Sequence, residues 1–185
     1  MNDLRQQLEQ CLPGRVCFIG VGNADYGDDG FGVRLAEQLQ AAGVPDVIVA
    51  GTTPDRWIGS LTGFDHVVFL DAVEFGVTPG SVLLLSSSEM SATYPQISTH
   101  KISLGLLAGW VEANGKTKAW LIGVQPESLK AGPQLTPTLQ TTLEVLAELL
   151  RDIGSARVET AAQACPERSR RGCPAERQLE LEVHP

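Results

Sequence analysis

The stretch RVCFIGVGNADYGDDGFG, residues 15–32, decides the fold. Residues 15–22 form a short apolar run ending in glycines, the pattern of a buried strand. Immediately afterwards, across 30–43, Phe31, Val33, Leu35, Leu39 and Ala42 recur at helical spacing. A buried strand that turns through glycines into an amphipathic helix is the opening half of a crossover unit. The alternation then repeats: VIVAG at 47–51 predicts a strand, PDRWIGSLTG at 54–63 a short helix, and HVVFLDAV at 66–73 another buried strand.

Beyond it, VTPGSVLLLS gives a turn and a strand at 81–86, and ISLGLLAGWVEANG at 102–115 predicts a helix closed by Asn114 and Gly115. The inward face expected for that helix is Ile102, Leu106, Ala108, Trp110 and Val111. TKAWLIGV at 117–124 supplies a further strand. A long helix follows at 137–153, with Leu139, Leu143, Leu146, Ala147, Leu150 and Ile153 facing inward. This order predicts a three-layer α/β fold: a doubly wound, mostly parallel sheet with helices on both faces. Residues 1–154 are expected to form one domain, and 155–185, with many charges and few core-sized residues, a flexible C-terminal tail.

A length of 185 residues fits one domain, and 19 Gly with 11 Pro suit the tight turns of an α/β protein. The formal charge of −8 opposes a nucleic-acid surface, which needs clustered Lys and Arg to release counterions. No apolar run approaches the roughly 18 residues that cross a bilayer, and the opening MNDLRQQLEQCL reads as a polar helix rather than a signal peptide. The expectation is a cytoplasmic protein without membrane insertion. Cys11, Cys17, Cys165 and Cys173 form no CxxC pair, so neither a zinc knuckle nor a disulfide framework is implied. Cys17, inside the first strand, reads as a small core residue.

The turn GVGNADYGDDGFG resembles a dinucleotide fingerprint only superficially. After Gly20 and Gly22, Asp25 stands where the third glycine belongs, and Asp28 and Asp29 follow just before the helix. Three carboxylates in one loop repel phosphate and favour a cation. Of Asp28 and Asp29, one is expected to complement the helix N-terminus while the other projects into the crevice. Asp71 ends the apolar run HVVFLD, where an unpaired buried carboxylate is costly, so it is expected at the strand exit with a partner. All parallel strands end at one sheet edge, so Asp71 and the first loop should share a crevice.

His100, in STHKIS, lies at the entrance to a predicted helix with a Ser or Thr as N-cap, and faces the same crevice if the preceding strand runs parallel. His66 begins a strand at the opposite edge. Two carboxylates and an imidazole suit a divalent ion such as nickel, zinc or manganese. No HExxH helix, GxSxG elbow or poised Cys–His pair is present. In GTTPD, Gly51 frees a strand end, Thr52 or Thr53 can cap, and Pro54 suits the first helical position. Gln125 and Glu127 occupy a further strand exit, where a peptide contact and a turn around Pro126 are both adequate accounts.

Jointly, GVGNADYGDDGFG at 20–32, GTTPD at 51–55, VVFLDAV at 67–73, PG at 79–80, STHKISL at 98–104 and GVQPESL at 123–129 resemble the hydrogenase maturation protease family. LTPTL at 135–139 adds a weaker match. Asp25 and Tyr26 depart from the pattern, because the family usually carries larger apolar residues there. The resemblance implies an endopeptidase, of the aspartic type, that trims the C-terminal extension from the precursor of the nickel-iron hydrogenase large subunit once nickel is inserted. It also implies that Asp29, Asp71 and His100 bind that nickel, which the substrate presents and another divalent ion can replace, with no organic cofactor. Whether these residues also act in hydrolysis, with Asp28 or Asp29 activating water, is left open by the resemblance. The competing readings are a non-enzymatic nickel-binding or chaperone module of hydrogenase assembly and a nucleotide-binding α/β protein.

Overall fold

The computed structural model describes residues 2–93, 103–113 and 115–164. A five-stranded sheet runs through the centre in the order β2-β1-β3-β5-β4, with β1 at Val16–Val21, β2 at Val47–Gly51, β3 at His66–Ala72, β4 at Val82–Ser86 and β5 at Lys118–Val124. β1, β2, β3 and β5 are parallel, and β4 pairs antiparallel with β5. The exception has a simple cause. The link from Val73 to Ser81 contains no helix, and a parallel return needs a crossover of about a dozen residues or more, so β4 starts at the edge where β3 ends.

Helices cover both faces, as the alternation predicts. On one side lie α1 (Asn2–Cys11), α2 (Phe31–Ala41) and α5 (Pro137–Ala164). Their Leu8, Phe31, Leu35, Leu39, Leu143 and Leu150 pack on Phe18, Val68, Leu70 and Ile122 of the strands. On the other side lie α3 (Ser87–Thr93) and α4 (Leu104–Glu112), whose Met90, Leu104, Leu107 and Val111 pack on Ile19, Val67, Phe69 and Leu121. Alternate residues of β3 therefore enter opposite cores, as strand geometry requires.

Several boundaries differ from expectation. The segment after β2 is a 3-10 helix at Pro54–Ser60, with Pro54 in the first turn and no side-chain cap from Thr53. α3 was not expected in the serine-rich stretch, yet SSSE carries a capping box: Glu89 Oε2 accepts the Ser86 amide at 2.8 Å, and the Glu89 amide donates to Ser86 Oγ at 3.4 Å. α4 is rotated from the predicted face. Leu106 and Trp110 are 49% and 48% exposed, while Leu104, Leu107, Ala108 and Val111 are buried. The last helix runs on to Ala164, because GSARVETAAQA holds no proline and many good helix formers, so Ser155 does not end it.

Candidate functional site

The carboxyl ends of β1, β2, β3 and β5 lie at one edge of the sheet, where the loop after β1 crosses the exit of β3. Gly22 opens that loop with φ of 133°, a conformation that side-chain-bearing residues rarely adopt. A Cβ built there would overlap the carbonyl oxygen of Asp29 and stand 3.7 Å from Oδ1 of Asp71. Gly22 is thus the gap across which the Asp29 segment and the Asp71 carboxylate approach one another. From the other side, Asp29 Oδ2 accepts the amide of Asn23 at 3.0 Å. Both aspartates are buried, at 6% and 1% exposure, so this edge holds two carboxylates largely withdrawn from water.

Asp28 takes a different course from the one expected. Neither it nor Asp29 caps α2, whose N-cap is Gly30 and receives no side-chain hydrogen bond. Instead the fully buried carboxylate of Asp28 reaches the segment before α5. Its Oδ2 accepts the amides of Glu127 and Ser128, each at 2.9 Å, and the Thr136 hydroxyl at 3.1 Å, while Oδ1 accepts the Thr136 amide at 2.7 Å. Four donors satisfy the acceptor capacity of one carboxylate. Asp28 is therefore a clasp between two loops, with its two oxygens occupied by these donors. The same seam is closed by Gly27 N to Gly132 O at 2.6 Å and Gly132 N to Asp25 O at 2.9 Å. The Arg34 guanidinium adds hydrogen bonds to the carbonyls of Ala24 and Pro133.

His100 lies outside the described residues. The direction of α4, however, is fixed. Glu112, at its last turn, accepts the amide of Ala119 at the start of β5 (3.0 Å) and the hydroxyl of Ser87 at the start of α3 (2.7 Å). α4 thus ends at the amino edge of the parallel strands, and its beginning points to the carboxyl edge. Ser103 is its N-cap, accepting the amide of Leu106 at 3.3 Å, as the sequence predicts for a Ser or Thr in this stretch. The condition attached to His100, a parallel strand before it, is not met, since β4 is antiparallel. Among the described residues no group of three metal-ligating side chains comes together.

The remaining candidates divide clearly. His66 begins β3 at the opposite edge, where its Nδ1 accepts from Trp120 Nε1 at 3.1 Å. Gln125 is buried and turns its amide to the segment after β3. Glu127 has its side chain exposed. Cys17 is fully buried, and desolvation pushes its thiol pKa up to about 12, which leaves it unreactive. The sequence reading missed the Asp28 clasp and its Thr136 partner, for which the only local signal was a pair of adjacent aspartates.

A model of the hydrogenase maturation proteases (HycI) matches residues 33–153. The chain belongs to the hydrogenase maturation protease family. It is 31% identical over 160 residues to the Hydrogenase 2 maturation protease of Escherichia coli K12, a match spanning 82% of this chain and 96% of that relative. Among solved structures it resembles the [NiFe] hydrogenase maturation protease HycI of Thermococcus kodakarensis KOD1, with a TM-score of 0.71, 29% identity and coverage of 83% and 99% of the two chains. The hydrogenase maturating endopeptidase HybD of E. coli aligns with a TM-score of 0.63 and 29% identity, over 79% of this chain and 93% of that one. The maturation protease is thus an endopeptidase on an α/β sheet, and the enzymatic reading takes precedence over a metal chaperone or nucleotide binder. No helix among the described residues is long and apolar enough to cross a membrane. The matched segment includes Asp71 and His100, whereas Asp29 precedes it.

Proposed function

We propose that this maturation endopeptidase acts in the cytoplasm on the precursor of a nickel-iron hydrogenase large subunit, removing its C-terminal extension after reading the inserted nickel through Asp29, Asp71 and His100. The observation that carries the reading is the approach of the Asp29 main chain and the buried Asp71 carboxylate across Gly22 at the carboxyl edge of the sheet, with the Asp29 side chain itself buried. Carboxylate oxygens joined by an imidazole form a ligand set suited to a divalent first-row ion. Nickel enters as part of the substrate, and another divalent ion can occupy the same donors. No organic cofactor is required.

Docking through the metal orients the adjoining peptide, so that attack by water becomes effectively intramolecular. Asp28 is committed to its four donors, which leaves Asp29 as the loop carboxylate able to take the water proton. Water oxygen then bonds to the peptide carbonyl carbon, the C–N bond breaks, and the proton passes to the leaving amine. Incubation of the purified protein with nickel-loaded precursor, followed by intact-mass spectrometry, tests the activity. Loss of a C-terminal peptide is the expected result, and an unchanged precursor mass would show the reading to be wrong.

A further inference from the structure

The side-chain oxygen and the main chain of Gln125 are turned to the segment that leaves β3, while its Nε2 donates to the carbonyl of Pro126 at 3.2 Å. Its Oε1 accepts three consecutive amides, Phe75 at 2.7 Å, Gly76 at 2.9 Å and Val77 at 3.3 Å. Its main chain accepts from Gly80 N and donates to Ser81 O, each at 2.9 Å. Converging amides of this kind form a nest that ordinarily holds an anion, and here a neutral amide oxygen fills it. Such an arrangement fixes the path of residues 75–77 more strictly than a turn alone would.

The consequence falls on Phe75. A Cβ on Gly123 would stand 2.5 Å from Cζ and 3.0 Å from Cε2 of the Phe75 ring, so the ring occupies the place where residue 123 would have a side chain. Gly123 is the register partner of Asp71 across β3 and β5. On these strands Val67 and Phe69, like Ala119 and Leu121, enter the same core, so by alternation Asp71 and Gly123 share one sheet face. The ring therefore lies on the flank of Asp71, half-buried and packed on that core.

We propose that Phe75 is the apolar wall of the crevice beside Asp71, against which the precursor segment packs, and that Gln125 is the positioning residue that seats it. This inference rests on the proposed cleavage of the precursor. A wall of this kind contributes to substrate binding and leaves the reacting groups untouched, so its loss appears in KM and spares kcat.

The test is steady-state peptide release from nickel-loaded precursor by the full chain and by Phe75→Ala, Gln125→Met, Gln125→Glu and Gly123→Ala variants. Phe75→Ala and Gln125→Met are expected to raise KM about tenfold with kcat within about twofold of wild type. Gly123→Ala shifts KM in the same direction, since its methyl group displaces the ring. Gln125→Glu keeps an acceptor for the three amides but loses the donor to the Pro126 carbonyl, so its KM is expected between those of wild type and Gln125→Met. If Gln125→Met does not fold, Phe75→Ala and Gly123→Ala decide the matter alone. Unchanged KM in Phe75→Ala, or a fall in kcat matching the fall in kcat/KM, overturns the inference while leaving the cleavage reading intact. A wild-type protein that releases no peptide removes the cleavage reading and this inference with it.

Discussion

Asp28 and Asp29 are adjacent in the chain and send their carboxylates to different loops. Asp28 binds the amides of Glu127, Ser128 and Thr136, and Asp29 binds that of Asn23. Asp28 holds two loops together and Asp29 is the proposed metal-reading residue, so their variants should separate stability from activity. Asp28→Ala leaves three amides without their acceptor and is expected to cost about 3 kcal/mol or more. Asp29→Asn retains an oxygen for Asn23 and should stay within about 1 kcal/mol of wild type while losing precursor processing. Urea melts with parallel processing assays check both. Equal destabilisation by the two variants would contradict the division.

Gly22 separates the Asp29 segment from the Asp71 carboxylate. Alanine there meets the Asp29 carbonyl and is held at φ of 133°, so Gly22→Ala should lose about 1–3 kcal/mol from backbone strain alone. The Asp29 segment must move to relieve the overlap, so processing should fall further than stability does. A variant with normal unfolding midpoint and normal processing would show that the close approach is not needed.

Cys17 offers a prediction in pH. Burial raises its folded pKa from 9.0 to about 12, so the folded chain keeps a proton that the unfolded chain releases. The resulting stabilisation is fully present below the unfolded value and is lost as pH rises through the window from 9.0 to about 12. Cys17→Ala should flatten that part of the stability profile relative to wild type. Iodoacetamide at mildly alkaline pH should leave Cys17 unlabelled in the native protein and label it in urea, as read by peptide mass spectrometry.

The strands were legible because a sheet covered on both faces demands uninterrupted apolar runs, and those around Val67–Leu70 and Leu121–Ile122 are buried throughout. The place of Asp71 at the strand exit was legible for the complementary reason, since a charge closes that apolar run. The phase of α4 was not. Its sequence LGLLAGWVE is apolar on nearly every side, so periodicity names no inward face, and tertiary packing buries Leu107 rather than Leu106. Asp28 was illegible in the same sense, because its partners lie about a hundred residues away in sequence. Gln125 was read as either a peptide contact or part of a turn, and only the three amides converging on its oxygen distinguish these roles.

In the proposed function the crevice reads nickel in the substrate. The most direct measurement is the ratio of cleavage rates on nickel-loaded and nickel-free precursor, for wild type and for Asp71→Asn, with the released peptide quantified by mass spectrometry. Wild type is expected to cleave the loaded precursor at least about a hundredfold faster than the nickel-free form, and Asp71→Asn to bring the loaded rate down towards the nickel-free one. Equal wild-type rates on both precursors would contradict the account.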